Sequence, residues 1–178
     1  KTVFELSDGK QSADYIENIA FWQQLSTLHP NEISLIEIGE SDAGKPLHLV
    51  LWNVSKDWEK LKDRDATKSL VLINNGIHPG EPDGIDACQL LILEILKSDS
   101  LKELYKNTSL AIIPVYNIGG ALNRNSNSRA NQHGPEEYGF RGNAQNLDLN
   151  RDGIKMDSKN ALLLAKLFHG LDPDIFFD

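Results

Sequence analysis

Apolar positions along the chain follow two rhythms, one close to 3.6 residues and one close to 2, and their alternation lays out the elements. Tyr15, Ile16, Ile19, Ala20, Trp22 and Leu25 recur at helical spacing behind a Ser12 cap, predicting a helix over 12–28 that His29-Pro30 ends. Ile33-Ser-Leu-Ile-Glu-Ile-Gly39 alternates as a strand does. The turn Ser41-Asp-Ala-Gly-Lys-Pro46 folds it back into a second strand, Leu47-His-Leu-Val-Leu-Trp-Asn-Val54. His48 is then a residue of a strand face. Residues 56–68 carry Asp57, Glu59, Lys60, Lys62, Asp63, Arg64 and Asp65, a charged connection expected as a solvated loop or short helix.

The middle of the chain breaks the pattern. Leu70-Val-Leu-Ile is an uncharged apolar run, which reads as a buried strand, and it stops in Asn-Asn-Gly-Ile-His78-Pro-Gly-Glu81-Pro-Asp-Gly84. A helix over 86–97 follows, then a turn or short helix over 101–105. Ser109-Leu-Ala-Ile-Ile-Pro-Val-Tyr116 reads as a second buried strand that ends or bulges at Pro114. Residues 117–150 have almost no aliphatic periodicity, and a stretch that long within a compact domain points to a functional loop. An amphipathic helix is predicted over 158–171. Asp174-Ile-Phe-Phe-Asp178 looks like the opening of another buried strand. A hairpin followed by strands alternating with helices gives a single α/β domain over 1–178, with a mixed central sheet between helical layers.

Composition adds exclusions. A net charge of −8 argues against nucleic-acid and anionic-membrane partners, which reward basic patches. Cys88 is the only cysteine, so an internal disulfide and a thiolate metal cluster are excluded; its apolar neighbours make it a small core residue. No run of apolar residues is long enough for a transmembrane helix. No signal peptide is visible. The chain starts at Lys1 without Met, which suggests a processed or engineered N-terminus and leaves secretion or a periplasmic location open.

Candidate chemistry starts with His-x-x-Glu, which occurs three times: His29 with Glu32, His78 with Glu81, and His133 with Glu136. Only the middle copy follows a buried strand and precedes a helix, the place where open α/β sheets keep their ligands. One tight turn there can aim an imidazole nitrogen and a carboxylate oxygen at one point, a donor pair suited to Zn²⁺. The second constellation is Arg141-Gly-Asn-Ala-Gln-Asn-Leu-Asp148-Leu-Asn150-Arg151-Asp152, closing the long loop. Asn150 and Arg151 offer an amide beside a planar five-donor fork, which suits a carboxylate. A loop arginine paired to Asp148 or Asp152 at the surface is the alternative.

Taken together, His78-x-x-Glu81, Asp148-Leu-Asn150-Arg151 and Val-Tyr-Asn117-Ile-Gly-Gly120 resemble the zinc carboxypeptidase family of carboxypeptidase A and B type, through nearly the whole chain. The resemblance implies a three-layer α/β/α sandwich around one catalytic zinc, with this chain as the N-terminal part of the catalytic domain, truncated at its C-terminal side. It implies His78 and Glu81 as metal ligands and Asp148 as the carboxylate that orients the histidine. Asn150 and Arg151 would grip the free C-terminal carboxylate of a peptide substrate, and Arg141 would stabilise the oxyanion, with Arg129 and Arg124 as weaker candidates. The family's third ligand, a histidine, would follow Asp178 by two positions and its glutamate base would come later, so the 178 residues alone are expected to be inactive. Gly153 stands where the family leads one to expect an aromatic residue. Two other readings remain at this stage: a zinc deacylase of N-acyl amino acids, and a non-catalytic module that keeps only the carboxylate grip.

Overall fold

The computed structural model describes residues 1–54, 57–58, 61 and 64–178. Much of the charged connection over 56–68 lies outside the described residues. A short helix α1 (Val3–Leu6) precedes α2 (Tyr15–Leu28), and both start at reciprocal capping boxes, Thr2 with Glu5 and Asp14 with Glu17. Asp14, not Ser12, caps α2; Ser12 is buried instead. The hairpin of β1 (Ile33–Glu40) and β2 (Pro46–Trp52) follows, then β3 (Ser69–Asn74), α3 (Asp83–Lys97), α4 (Asp99–Leu104) and β4 (Thr108–Ile113). β4 ends at the residue before Pro114, which cannot donate to a ladder.

Five strands form one sheet in the order β1-β2-β4-β3-β7, where β7 is Ile175–Phe177. β2 runs antiparallel to β1 and β4, while β3 runs parallel to β4 and β7, so the sheet is mixed as expected. Its period-2 pattern splits the core in two. Leu47, Leu49, Leu51, Leu70, Leu72, Ala111 and Ile113 face one way and pack with Leu167 and Leu171 of α6 (Lys159–Leu171). Val50, Trp52, Leu110 and Ile112 face the other way, against Trp22 and Leu25 of α2 and Cys88, Ile92 and Ile95 of α3. Helices therefore cover both faces, and Cys88 is a core residue.

Two expectations change. The stretch over 117–150 is not wholly irregular: it holds α5 (Ile118–Leu122), the two-residue strands β5 (Arg124–Asn125) and β6 (Tyr138–Gly139), and a 3₁₀ turn begins at its end, Leu149–Arg151. The periodicity is missed because each piece spans too few residues for its pattern to repeat. The terminal strand is also not buried. β7 pairs with β3 at the end of the sheet, and Ile175, Phe176 and Phe177 are 46%, 41% and 59% exposed, although the Phe168 ring of α6 meets Phe176 edge-on with centroids 5.6 Å apart.

Candidate metal centre

The centre is built where the parallel pair β3 and β4 ends. Beyond β3 the chain continues as Asn75-Gly76, and two backbone bonds extend the pairing: the Tyr116 amide donates to the Asn75 carbonyl (2.7 Å) and the Asn117 amide to the Gly76 carbonyl (3.1 Å). Gly76 has φ +67°, a left-handed conformation that a side chain would strain, and it turns the chain off the sheet. The Glu81 amide then donates to the His78 carbonyl (2.9 Å), closing a turn that puts both side chains on one side.

His78 is buried, 4% exposed, and its Nε2 lies 2.9 Å from Asp148 Oδ1, 70 positions later in the chain. Burial works against the charged Asp148. The bonds from His78, the Asn150 amide and Arg141 outweigh it together and hold the carboxyl below its usual range. An ionised carboxylate only accepts, so Nε2 donates its proton to Asp148. Nδ1 is thereby turned toward Glu81 Oε2, 3.7 Å away. Two donors each about 2.0–2.1 Å from a tetrahedral metal would stand roughly 3.4 Å apart, so this pair fits part of a zinc site. No group of three or more metal-ligating His, Cys, Asp or Glu side chains occurs among the described residues.

Arg141 reaches the same carboxylate from outside: Nε and Nη2 both lie 3.0 Å from Asp148 Oδ2. Asp148 also starts the 3₁₀ turn by accepting the Asn150 amide (3.0 Å), so one residue orients His78, holds Arg141 and aims Asn150 and Arg151. Both of the latter are exposed; Arg151 Nη1 donates to the Asn150 carbonyl (2.7 Å) and the rest of its guanidinium faces outward. Asn117 ties the parts together, since its amide nitrogen donates to the carbonyls of Arg141 (3.0 Å) and Ile77 (3.4 Å). A Cβ on Gly120 would collide with the Phe140 carbonyl oxygen, so this close approach needs glycine there.

The zinc carboxypeptidase family matches residues 18–160 of the chain, a span that contains the whole of this constellation. The chain belongs to the zinc carboxypeptidase family. No curated protein matches it. Among solved structures, its fold is similar to a metallo-carboxypeptidase from Burkholderia cenocepacia (TM-score 0.68, 21% identity, 92% of this chain and 40% of that one). It is similar also to the carboxypeptidase A from Helicoverpa armigera (0.58, 17%, 88% and 42%). A third is the metallo-carboxypeptidase from Pseudomonas aeruginosa solved with (2-guanidinoethylmercapto)succinic acid (0.64, 18%, 91% and 38%). The chain thus spans about two-fifths of the length of these carboxypeptidases.

Within this zinc carboxypeptidase fold the other arginines have separate tasks. Arg124 donates to the carbonyls of Ser12 (3.2 Å) and Glu137 (2.7 Å). Arg129 Nη2 lies 2.6 Å from Glu81 Oε1, and Gln132, which accepts from Arg129, donates to the Gly80 carbonyl (2.7 Å). The loop over 129–132 therefore grips the His78–Glu81 turn. Spacing could not reveal it, since Arg129 and Glu81 are 48 positions apart and lie in no shared motif. The other two His-x-x-Glu copies hold no such site: His29 and Glu32 are about one-third exposed, and Glu136 accepts from Gln11.

Proposed function

We propose that this chain carries part of the active centre of a zinc-dependent carboxypeptidase, which hydrolyses the C-terminal bond of peptides with a free carboxylate. The observation that carries the reading is the His78 Nε2–Asp148 Oδ1 bond of 2.9 Å. It joins the two constellations at one point and leaves Nδ1 free beside Glu81. Bound zinc would supply Lewis acidity toward the scissile carbonyl and lower the pKa of a water. His78 Nδ1 and Glu81 Oε2 are the two donors this chain offers it, and Asp148 fixes the histidine's tautomer and ring orientation. Arg151, with Asn150 beside it, has donors free to pair bidentately with a substrate carboxylate. Arg141 already directs Nε and Nη2 at one oxygen of Asp148, Oδ2, so stabilising an oxyanion would require that it share or release that contact.

The test is zinc content and hydrolysis in the full-length protein, using N-blocked dipeptides with free and with amidated C-termini, beside N-acyl amino acids. Cleavage confined to the free carboxylate peptides is expected. Cleavage of N-acyl amino acids alone would move the reading to a deacylase, and carboxylate binding without turnover would move it to a binding module.

A further inference from the structure

The turn between β1 and β2 reaches both ends of the segment that carries Asp148, Asn150 and Arg151. It does so through one carboxylate, that of the partly buried Asp42. Asp42 Oδ2 accepts from the side-chain amide of Asn143 (3.2 Å), and Oδ1 accepts from the Lys159 backbone amide (3.1 Å). The Asn160 backbone amide lies 3.4 Å from Oδ2. In return the Asp42 amide donates to Asn160 Oδ1 (3.1 Å), and the Asn160 side chain donates to the Tyr116 carbonyl (2.6 Å) just beyond β4.

Both attachment points shape the chain around the carboxylate grip. Asn143 is buried, and its Oδ1 accepts the amides of Gln145 and Leu147 (both 2.9 Å), coiling the chain into the turn that delivers Asp148. Lys159 and Asn160 open α6, where the first amides of a helix have no partner within it. Ser158 accepts the third, from Ala161, and Asp42 supplies acceptors for the first two from 117 positions away in the chain. A carboxylate at this end of a helix also meets the favourable end of its dipole. Between the two anchors the chain is loop apart from the 3₁₀ turn Leu149–Arg151. The Arg151 side chain bonds to the carbonyl of its own neighbour, Asn150 (2.7 Å), so the direction of its fork follows the backbone of that turn. What fixes the two anchors relative to each other therefore fixes where the fork points.

We propose that Asp42 is a positioning residue for carboxylate recognition, tying Asn143 to the start of α6 and so aiming the Asn150–Arg151 turn at the substrate. This rests on the carboxypeptidase reading for what that turn holds, and binding is therefore measured apart from turnover. An N-blocked peptide with a free C-terminus and its amidated counterpart are titrated calorimetrically into the full-length protein, with and without zinc, and then assayed for hydrolysis. Asp42→Ala is expected to weaken binding of the free-carboxylate peptide roughly tenfold, as a displaced positioning contact does. Binding of the amide should barely change, and KM should rise more than kcat falls. Zinc content should be retained, because Asp148 keeps its own bonds to His78 and Arg141. In Asp42→Asn one of the facing N–H donors meets an amide NH2, so most of the loss should recur. Adding Asn143→Asp exchanges donor and acceptor and should restore binding, a comparison that stands even where Asp42→Ala does not fold. Equal losses on the two peptides, or an undiminished preference for the free carboxylate in both Asp42 variants, overturns the positioning role. A preference that falls in the variants of a protein that hydrolyses neither peptide supports the role and counts against the peptidase reading alone. No preference in the unmodified protein overturns both.

Discussion

Arg129 pairs with one oxygen of Glu81, Nη2 to Oε1 at 2.6 Å, and so leaves the other, Oε2, to face His78 Nδ1. Burial by itself would raise the Glu81 pKa, but the bond and charge of Arg129, then His78 and Arg141, bring it below the ordinary value. A metal ligand must be ionised. Removing Arg129 leaves burial less opposed, so Glu81 takes up a proton at higher pH. Arg129→Ala is therefore expected to move the midpoint of zinc release on acidification to higher pH, while binding near neutrality changes little. Zinc content after dialysis across a pH series measures it, and an unmoved midpoint would show that Arg129 does not tune Glu81.

Asp148 holds the donor proton of His78. Asp148→Ala removes the acceptor from a buried imidazole and frees the ring to rotate or exchange tautomers. Loss of an orienting carboxylate behind a ligating histidine commonly costs about ten- to a hundredfold in metal affinity. That loss is expected here by competition with a chromophoric chelator, with circular dichroism unchanged. His78→Ala should go further and abolish zinc retention. Retained zinc in His78→Ala would remove the site assignment altogether.

Arg151 is exposed, and its Nη1 bond to the Asn150 carbonyl leaves most of the guanidinium for a ligand. Hydrogen bonds to charged groups contribute roughly 1.5–3 kcal/mol, so Arg151→Ala should lower kcat/KM about ten- to a hundredfold on peptides with a free C-terminus. Amidated peptides, already without that pair, should lose far less. Equal losses on both would contradict a carboxylate grip.

The sheet and its flanking helices were legible in the sequence because burial imposes a period: Leu47, Leu49 and Leu51 face one layer while Val50 and Trp52 face the other. The strand-end turn was legible for a second reason, since Gly76 and the Pro-Gly run must break both rhythms there. What did not show lies between distant segments. Arg129 on Glu81 and Asn117 on the Arg141 carbonyl are contacts across long loops, set by close backbone approach and not by spacing. Ser12 failed for a related reason. A serine ahead of an apolar run satisfies the capping pattern, but Asp14 has Glu17 three residues on and completes the reciprocal box. β7 shows the limit of reading burial from composition, since Ile-Phe-Phe is apolar and still exposed at the sheet edge.

The residue after the Asn150–Arg151 pair supports it from behind. Asp152 is 4% exposed, and its two oxygens accept from the Asp157 amide (2.8 Å), the Ser158 amide (2.9 Å) and the Ser158 hydroxyl (2.6 Å). Ser158 in turn caps α6 by accepting the Ala161 amide (3.0 Å), so one carboxylate joins the 3₁₀ turn to the helix that covers the sheet. Burial opposes the charged form of Asp152, but the Ser158 hydroxyl, the two amides and the charge of Lys155 outweigh it, and the pKa is lowered. A carboxyl lowered on folding stabilises the protein above its unfolded pKa, and the contribution fades as pH falls through the folded value. The loss therefore begins near the ordinary 3.8 and continues below it. Asp152→Ala should cost about 1.5–3 kcal/mol at neutral pH, as expected for buried bonds to a charged acceptor. Urea midpoints taken from neutral pH downward should show the gap between the native protein and the variant narrowing only below about pH 4. A gap that stays constant into strong acid would mean that Asp152 acts by packing, and that its charge contributes nothing to holding Arg151 in place.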